Sequence, residues 1–148
     1  MNRDSPDQEE RNKALFKSVI DASNAHDQEL MWKAIGEVFE PDVRMGTPLP
    51  IKETGADAVK AVYSALHRAF PDLHIAVQDV IAEGDKIVSR QAVTGTHTGE
   101  AYMGVPATGA SVAYNEIFVL RFEAGRVAET WGVVDVHTLL WQLGAVRL

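Results

Sequence analysis

Apolar residues recur at helical spacing in the first half of the chain and alternate along most of the second half. Leu15, Phe16, Val19 and Ile20 mark one face of a helix running from Asp7 to about Asn24. A second helix is predicted from about Asp27, with Met31, Ala34, Ile35 and Val38 on one face and Pro41 beyond its end. A third begins after Thr54, a candidate N-cap. It presents Val59, Val62, Tyr63, Leu66 and Phe70, and Pro71 stops it. Between the second and third helices, RMGTPLPIKETG reads as loop with at most a short strand. Residues 1–6 are expected to form a frayed tail.

Beyond Pro71 the period changes to two. HIAVQDVIAEGDKIVSRQAVTGTH alternates, carries β-branched residues, and turns at Glu83-Gly84-Asp85. A loop through Gly99, Gly104, Pro106 and Gly109 leads to a strand over Val112–Phe122. A turn at Glu123-Ala124-Gly125, a strand to about Val134 and a short helix opened by Asp135 follow. Three helices and then a four-stranded antiparallel meander define an α+β fold, with the helices covering one face of a curved sheet.

The last hairpin is the most informative stretch. A two-residue Ala124-Gly125 turn would place Ala124 at positive φ, so a three-residue loop with Gly125 in the left-handed position is expected. That register pairs Phe122 with Arg126, Phe118 with Thr130 and Glu116 with Gly132. One face then carries Val112, Tyr114, Glu116, Phe118, Leu120 and Phe122 opposite Ala128, Thr130, Gly132 and Val134. The second set is too small to fill the space beside the aromatics. Either helix side chains occupy the gap or a ligand does.

Glu116 is the one carboxylate on that face, flanked by Tyr114 and Phe118. Desolvated there, it would have a raised pKa suited to general acid–base work. The structural alternative is a solvated carboxylate near the sheet end, or one paired with a buried Arg or His. Thr130, Gly132 and Met45 join Tyr114 and Phe118 as candidate substrate-lining residues. The opposite face, with Ile117, Val119, Val127, Trp131 and Val133, is apolar enough to suggest a second subunit. Trp131 is therefore an interface residue or, alternatively, a pocket wall. Asp135 is an N-cap or a pocket acid, and His97, in GTHTG, is a polar loop residue or a proton carrier at the pocket mouth.

Composition narrows the class. The chain has 148 residues, 46% apolar and 24% charged, as expected of a single globular domain over 1–148. It contains no long apolar run and no leader-like start, so a cytoplasmic location without membrane contact is the default expectation. A net charge of −7 with scattered basic residues argues against a nucleic-acid partner. There is no cysteine, no phosphate-binding glycine motif, and no pair of histidines at metal-ligand spacing. No metal and no organic cofactor are expected.

TGTHTGEAYMGVPATG, the LRFEAGRVAETWGVVD hairpin and the terminal LLWQLG resemble the SnoaL-like polyketide cyclases, within the superfamily named for nuclear transport factor two. The similarity runs over about residues 10 to 145. The resemblance implies a conical α+β barrel, with three N-terminal helices on a curved, mainly antiparallel sheet of four to six strands and a short C-terminal helix. It also implies an apolar pocket for a hydrophobic oxygenated small molecule, frequent homodimers, and ring closure by aldol condensation without a cofactor. In such enzymes a pocket carboxylate takes a proton from carbon and returns one to oxygen. Related epoxide hydrolases use acids on the same two strands. One position departs: the catalytic Asp of both groups stands where this chain has Gly132. Glu116, opposite it in the expected register, would supply a carboxylate to nearly the same point. Loss of the acid keeps open a non-catalytic ligand-binding or dimerisation module.

Overall fold

The computed structural model describes residues 6–46 and 50–147. The elements in chain order are α1 (Pro6–Asn24), α2 (Gln28–Val38), β1 (Phe39–Met45), α3 (Gly55–Ala69), β2 (His74–Glu83), β3 (Lys86–Thr96), β4 (Ser111–Glu123), β5 (Arg126–Val134) and α4 (Val136–Gln142). The fold is α+β, as the sequence pattern requires. Helix α1 takes in Pro6; the rest of the expected tail, residues 1–5, lies outside the described residues.

The sheet order is β1-β5-β4-β3-β2, with β2 through β5 the antiparallel meander and β1 added parallel to β5. Strand β1 is the element the alternation did not reveal. Its sequence, FEPDVRM, contains Pro41 and three charged residues, a composition tolerated at a sheet edge because a proline there forfeits no needed ladder bond. The other edge is partly closed by α1. The Asn24 amide donates to the Ile75 carbonyl at 2.9 Å, and its carbonyl accepts from the Ile75 N–H at 2.9 Å, standing in for one strand residue.

The core lies between the helices and the concave sheet face. Phe16, Val19 and Ile20 of α1 and Met31, Ile35 and Val38 of α2 are buried against Ile75, Ile87, Val93, Leu120 and Phe122. Helix α3 differs. Val59 is buried, but Val62, Tyr63 and Leu66, on the same apolar face, are only half-buried. Thr54 occupies the N-cap position of α3 without a side-chain capping bond, whereas Asp27 caps α2 by accepting from the Leu30 N–H at 3.1 Å.

The β4/β5 turn differs from the expected three-residue loop. It is a two-residue turn with Ala124 at φ 51° and Gly125 at φ 83°, and Glu123 pairs with Arg126. Such a turn has the twist that neighbouring strands need, which offsets the strain at Ala124. Taken alone it would shift the register by one residue and turn every side chain of β5 over. A bulge follows at once: Phe122 pairs with Val127 and Arg121 with Glu129, leaving Ala128 as the extra residue. The two shifts together preserve the faces beyond the bulge but change the partners. Phe118 lies opposite Gly132, and Glu116 opposite Val134 rather than Gly132. Val127, expected outside, is fully buried.

Because Ala124 holds a left-handed conformation that asparagine tolerates better, Ala124→Asn should stabilise the protein by about 0.5–1 kcal/mol. Urea denaturation would read this as a higher midpoint at unchanged slope.

Candidate active site

Helices α1 and α3 do not seat fully on the concave sheet. Between them lies a cavity of about 100 Å³, lined by Phe16, Phe39, Val59, Val62, Leu66, Ile75, Phe118 and Leu120, with Met45 at the end of β1. The polar groups in its wall are Tyr63, Gln91, Glu116 and Thr130. Among the described residues, no Lys, Arg or His lines it. The half-exposed face of α3 is thus a cavity wall rather than a solvent surface.

Glu116 is half-buried on β4, and its carboxyl is held from the neighbouring strand. Gln91 sits directly across on β3 and donates its amide N–H to Glu116 Oε1 at 2.5 Å. The Gln91 carbonyl end in turn accepts from the Ser89 hydroxyl at 2.9 Å. Gln91 is 2% exposed and Ser89 is fully buried. The serine thus holds the end of the amide that faces away from the carboxyl. Burial pushes the Glu116 carboxyl above its ordinary value of 4.5, and the Gln91 hydrogen bond opposes that shift. Among the described residues, no cation compensates the charge. The group is poised to hold or release a proton at a higher pH than a surface glutamate.

Three phenols share this environment. Tyr63, Tyr102 and Tyr114 are each pushed up, first by burial and then by the negative charge of Glu116, so they remain O–H donors at neutral pH. Tyr102 arrives on the loop between β3 and β4. Its N–H and carbonyl pair with Val105 around Met103 and Gly104, both at positive φ, and its ring stands edge-on to Phe70 at 5.5 Å.

The candidates named from the sequence divide into two groups. Glu116, Phe118, Thr130 and Met45 line the cavity, and Tyr114 is buried within reach of the Glu116 charge. His97, Asp135 and Trp131 stand elsewhere. His97 is fully buried with its Nε2 against the Glu100 carbonyl at 2.8 Å and its ring on Phe70, so it fastens the loop that carries Tyr102. Asp135 is exposed and caps α4, accepting from the Thr138 N–H at 3.1 Å and hydroxyl at 2.7 Å. The Thr138 hydroxyl and then its N–H hold the Asp135 carboxyl below the usual range. Trp131 is 37% exposed on the outer sheet face beside Gly46.

Gln91, Ser89, Tyr63 and Tyr102 were not among those candidates. A signal for the first two was present: in KIVSRQAV, Ile87, Ser89, Gln91 and Val93 share a face by period two, and two polar residues interrupt it. Pairing Gln91 with Glu116 needed the β3/β4 register, which no short turn supplies.

Gly132 is enclosed rather than open. A Cβ there would fall inside the Phe118 ring, against its Cδ1 and Cε1. The volume expected to be missing beside the aromatics is therefore filled in part by Phe118 itself. The same collision opposes an aspartate at position 132 unless Phe118 moves.

A sequence model of the SnoaL-like polyketide cyclases matches residues 17–143. The chain belongs to the SnoaL-like polyketide cyclase family. Among solved structures it is similar to AclR from Streptomyces galilaeus, described as a candidate hydroxylase, with 34% identity and a TM-score of 0.78 over 95% of this chain and 85% of that one. It is also similar to IdmH from Streptomyces antibioticus, a candidate polyketide cyclase, with 27% identity and a TM-score of 0.74 over 90% and 98% of the two chains. TsrD from Streptomyces laurentii matches at 25% identity and a TM-score of 0.81 over 99% of both chains. No curated protein matches. Within this SnoaL-like fold, the position to which the resemblance assigned the catalytic acid is the glycine beneath Phe118.

Gly132→Ala should destabilise the protein by about 1–3 kcal/mol, since the added methyl overfills a packed site. Combining it with Phe118→Leu should recover most of that loss. A thermodynamic cycle built from chemical denaturation should give a coupling of about 1 kcal/mol or more; additive effects would show that the ring does not rest on Gly132.

Proposed function

We propose that this SnoaL-like protein is a cofactor-independent acid–base catalyst acting on a hydrophobic, oxygenated small molecule, with Glu116 as its proton carrier. The observation that carries the reading is a desolvated carboxyl, held by Gln91, in the wall of a mainly apolar cavity. In an aldol cyclisation the ionised carboxylate takes a proton from a carbon next to a carbonyl, leaving an enolate. The enolate carbon bonds to a second carbonyl carbon, whose π electrons pass to its oxygen, and Glu116 returns the proton to that oxygen. Isomerisation needs the same two transfers without the new bond. The phenols around Glu116 stay protonated and are donors of the kind that stabilise an enolate oxygen.

A second reading is a ligand-binding module without catalysis. It is favoured by Gly132, where the resemblance places the family's acid, and by the filling of that space by Phe118. His97 and Asp135 act in either reading through structure, one fastening a loop and one capping a helix.

The chemistry can be read without the natural substrate. The protein should accelerate deuterium exchange at the central carbon of a small 1,3-dicarbonyl ester, followed by proton NMR. The rate should rise with pH as Glu116 ionises, because the base works only when deprotonated, with a midpoint above 4.5. Glu116→Gln keeps the Gln91 contact and removes the titration; it should lower the rate about 100-fold or more. Exchange no faster than in buffer, or unchanged in Glu116→Gln, favours the binding module.

We also propose a homodimer through the outer sheet face. Ile81, Val88, Val119 and Trp131 follow one another across four strands, with Ile117 and Val133 beside them. Val133 is 75% and Ile81 64% exposed, which is costly for aliphatic side chains left in water. Light scattering at micromolar concentration should give twice the chain mass, and Val133→Glu should reduce it to one. A monomeric native protein rejects the proposal.

A further inference from the structure

The size of the cavity conflicts with the size of a polycyclic ligand. Pockets for drug-sized molecules hold about 300 Å³ or more; this cavity holds about 100 Å³. The limit comes from one side chain. On the inner sheet face Phe118 has Ser89 across from it on β3 and Gly132 across from it on β5. Between such small neighbours the ring can lie sideways across the strands, and it does so over Gly132. Any side chain at position 132 would displace it. In this position Phe118 forms the cavity wall on the β4 strand next to Glu116, two residues away.

We infer that Phe118 sets the size limit of the site, and that the ligand is a compact molecule of about one ring at most. It would carry a hydroxyl or carbonyl placed against Glu116 and Gln91. Apart from the Tyr63 and Thr130 hydroxyls, the rest of the wall is apolar, with Phe16, Phe39, Val59, Val62, Leu66 and Leu120 among the side chains that offer dispersion contacts. The inference deepens the proposed function and rests on its location of the site, not on its chemistry.

The test is equilibrium binding, measured by ligand-observed NMR and calorimetry with phenol, toluene and 1-naphthol. The native protein should bind phenol saturably and at least 10-fold more tightly than toluene, which has nearly the same shape but no oxygen. It should bind 1-naphthol at least 10-fold more weakly than phenol. Phe118→Ala should remove that preference by strengthening 1-naphthol 10-fold or more. Phe118→Leu should move in the same direction and serves if the alanine variant fails to unfold cooperatively. Equal binding of phenol and 1-naphthol by the native protein overturns the size limit, and this comparison needs no variant. A cooperatively folding Phe118 variant without gain for 1-naphthol overturns the assignment to Phe118. Equal binding of toluene and phenol overturns the need for oxygen.

Repeating the titrations with Glu116→Gln separates the two claims. If deuterium exchange is absent while size selection and its loss in Phe118→Ala persist, catalysis falls and the role of Phe118 stands. If exchange depends on Glu116 while 1-naphthol binds as well as phenol, the catalytic reading stands and this one falls.

Discussion

The extra residue at Ala128 controls which side chains the last strand presents to the helices. The tight turn at Ala124-Gly125 gives a pairing that would face Thr130 and Gly132 outward. One bulged residue returns both to the concave side, at the cost of one unpaired ladder position. Val127 and Ala128 are consequently both buried. The same shift places Gly132, rather than Thr130, across from Phe118. The aromatic ring then settles over a residue with no side chain, and the cavity is what remains.

Within that space, electrostatics and packing make opposite demands. Packing favours an apolar interior, and an unpaired carboxyl there is disfavoured in its charged form. Among the described residues Glu116 meets no cation, and the Gln91 amide donates to it, so its proton affinity is raised without a salt bridge to lower it. A buried arginine partner would have held the carboxylate permanently ionised and poor as a base. The serine behind Gln91 hydrogen-bonds the far end of the amide, so Gln91 is held between Ser89 and Glu116. Three residues on two strands therefore set the protonation behaviour of one.

The family relationship and the local geometry constrain different things. Membership gives the arrangement of helices over a curved sheet. The particular glycine at position 132 and the ring above it distinguish this chain's cavity, since they fill the region to which the resemblance assigned an acid. Loop contacts far from the cavity also contribute. The Gly99 and Glu100 N–H groups bond to the last carbonyls of α3 at 3.1 and 2.8 Å, so the segment bearing Tyr102 is tied to the helix that forms the opposite wall.

The helices, the meander and the inward placement of Glu116 and Phe118 were legible in the sequence, because periods of 3.6 and 2 are carried by neighbouring residues. The Asp135 cap was equally legible, since its partner is three residues away. The faces of the hairpin beyond the bulge came out right although its turn did not, because two one-residue shifts cancel in parity. Tertiary structure alone decided the rest. Strand β1 exists because an edge of β5 was available to a segment with little strand character of its own. Gln91 meets Glu116 through a register set over the whole β3/β4 ladder. His97, polar and loop-borne in the sequence, is buried against Phe70 with its Nε2 on the Glu100 carbonyl. Whether the space beside Gly132 stays open depended on where one aromatic ring would rest, and that is settled by cross-strand neighbours that periodicity does not identify.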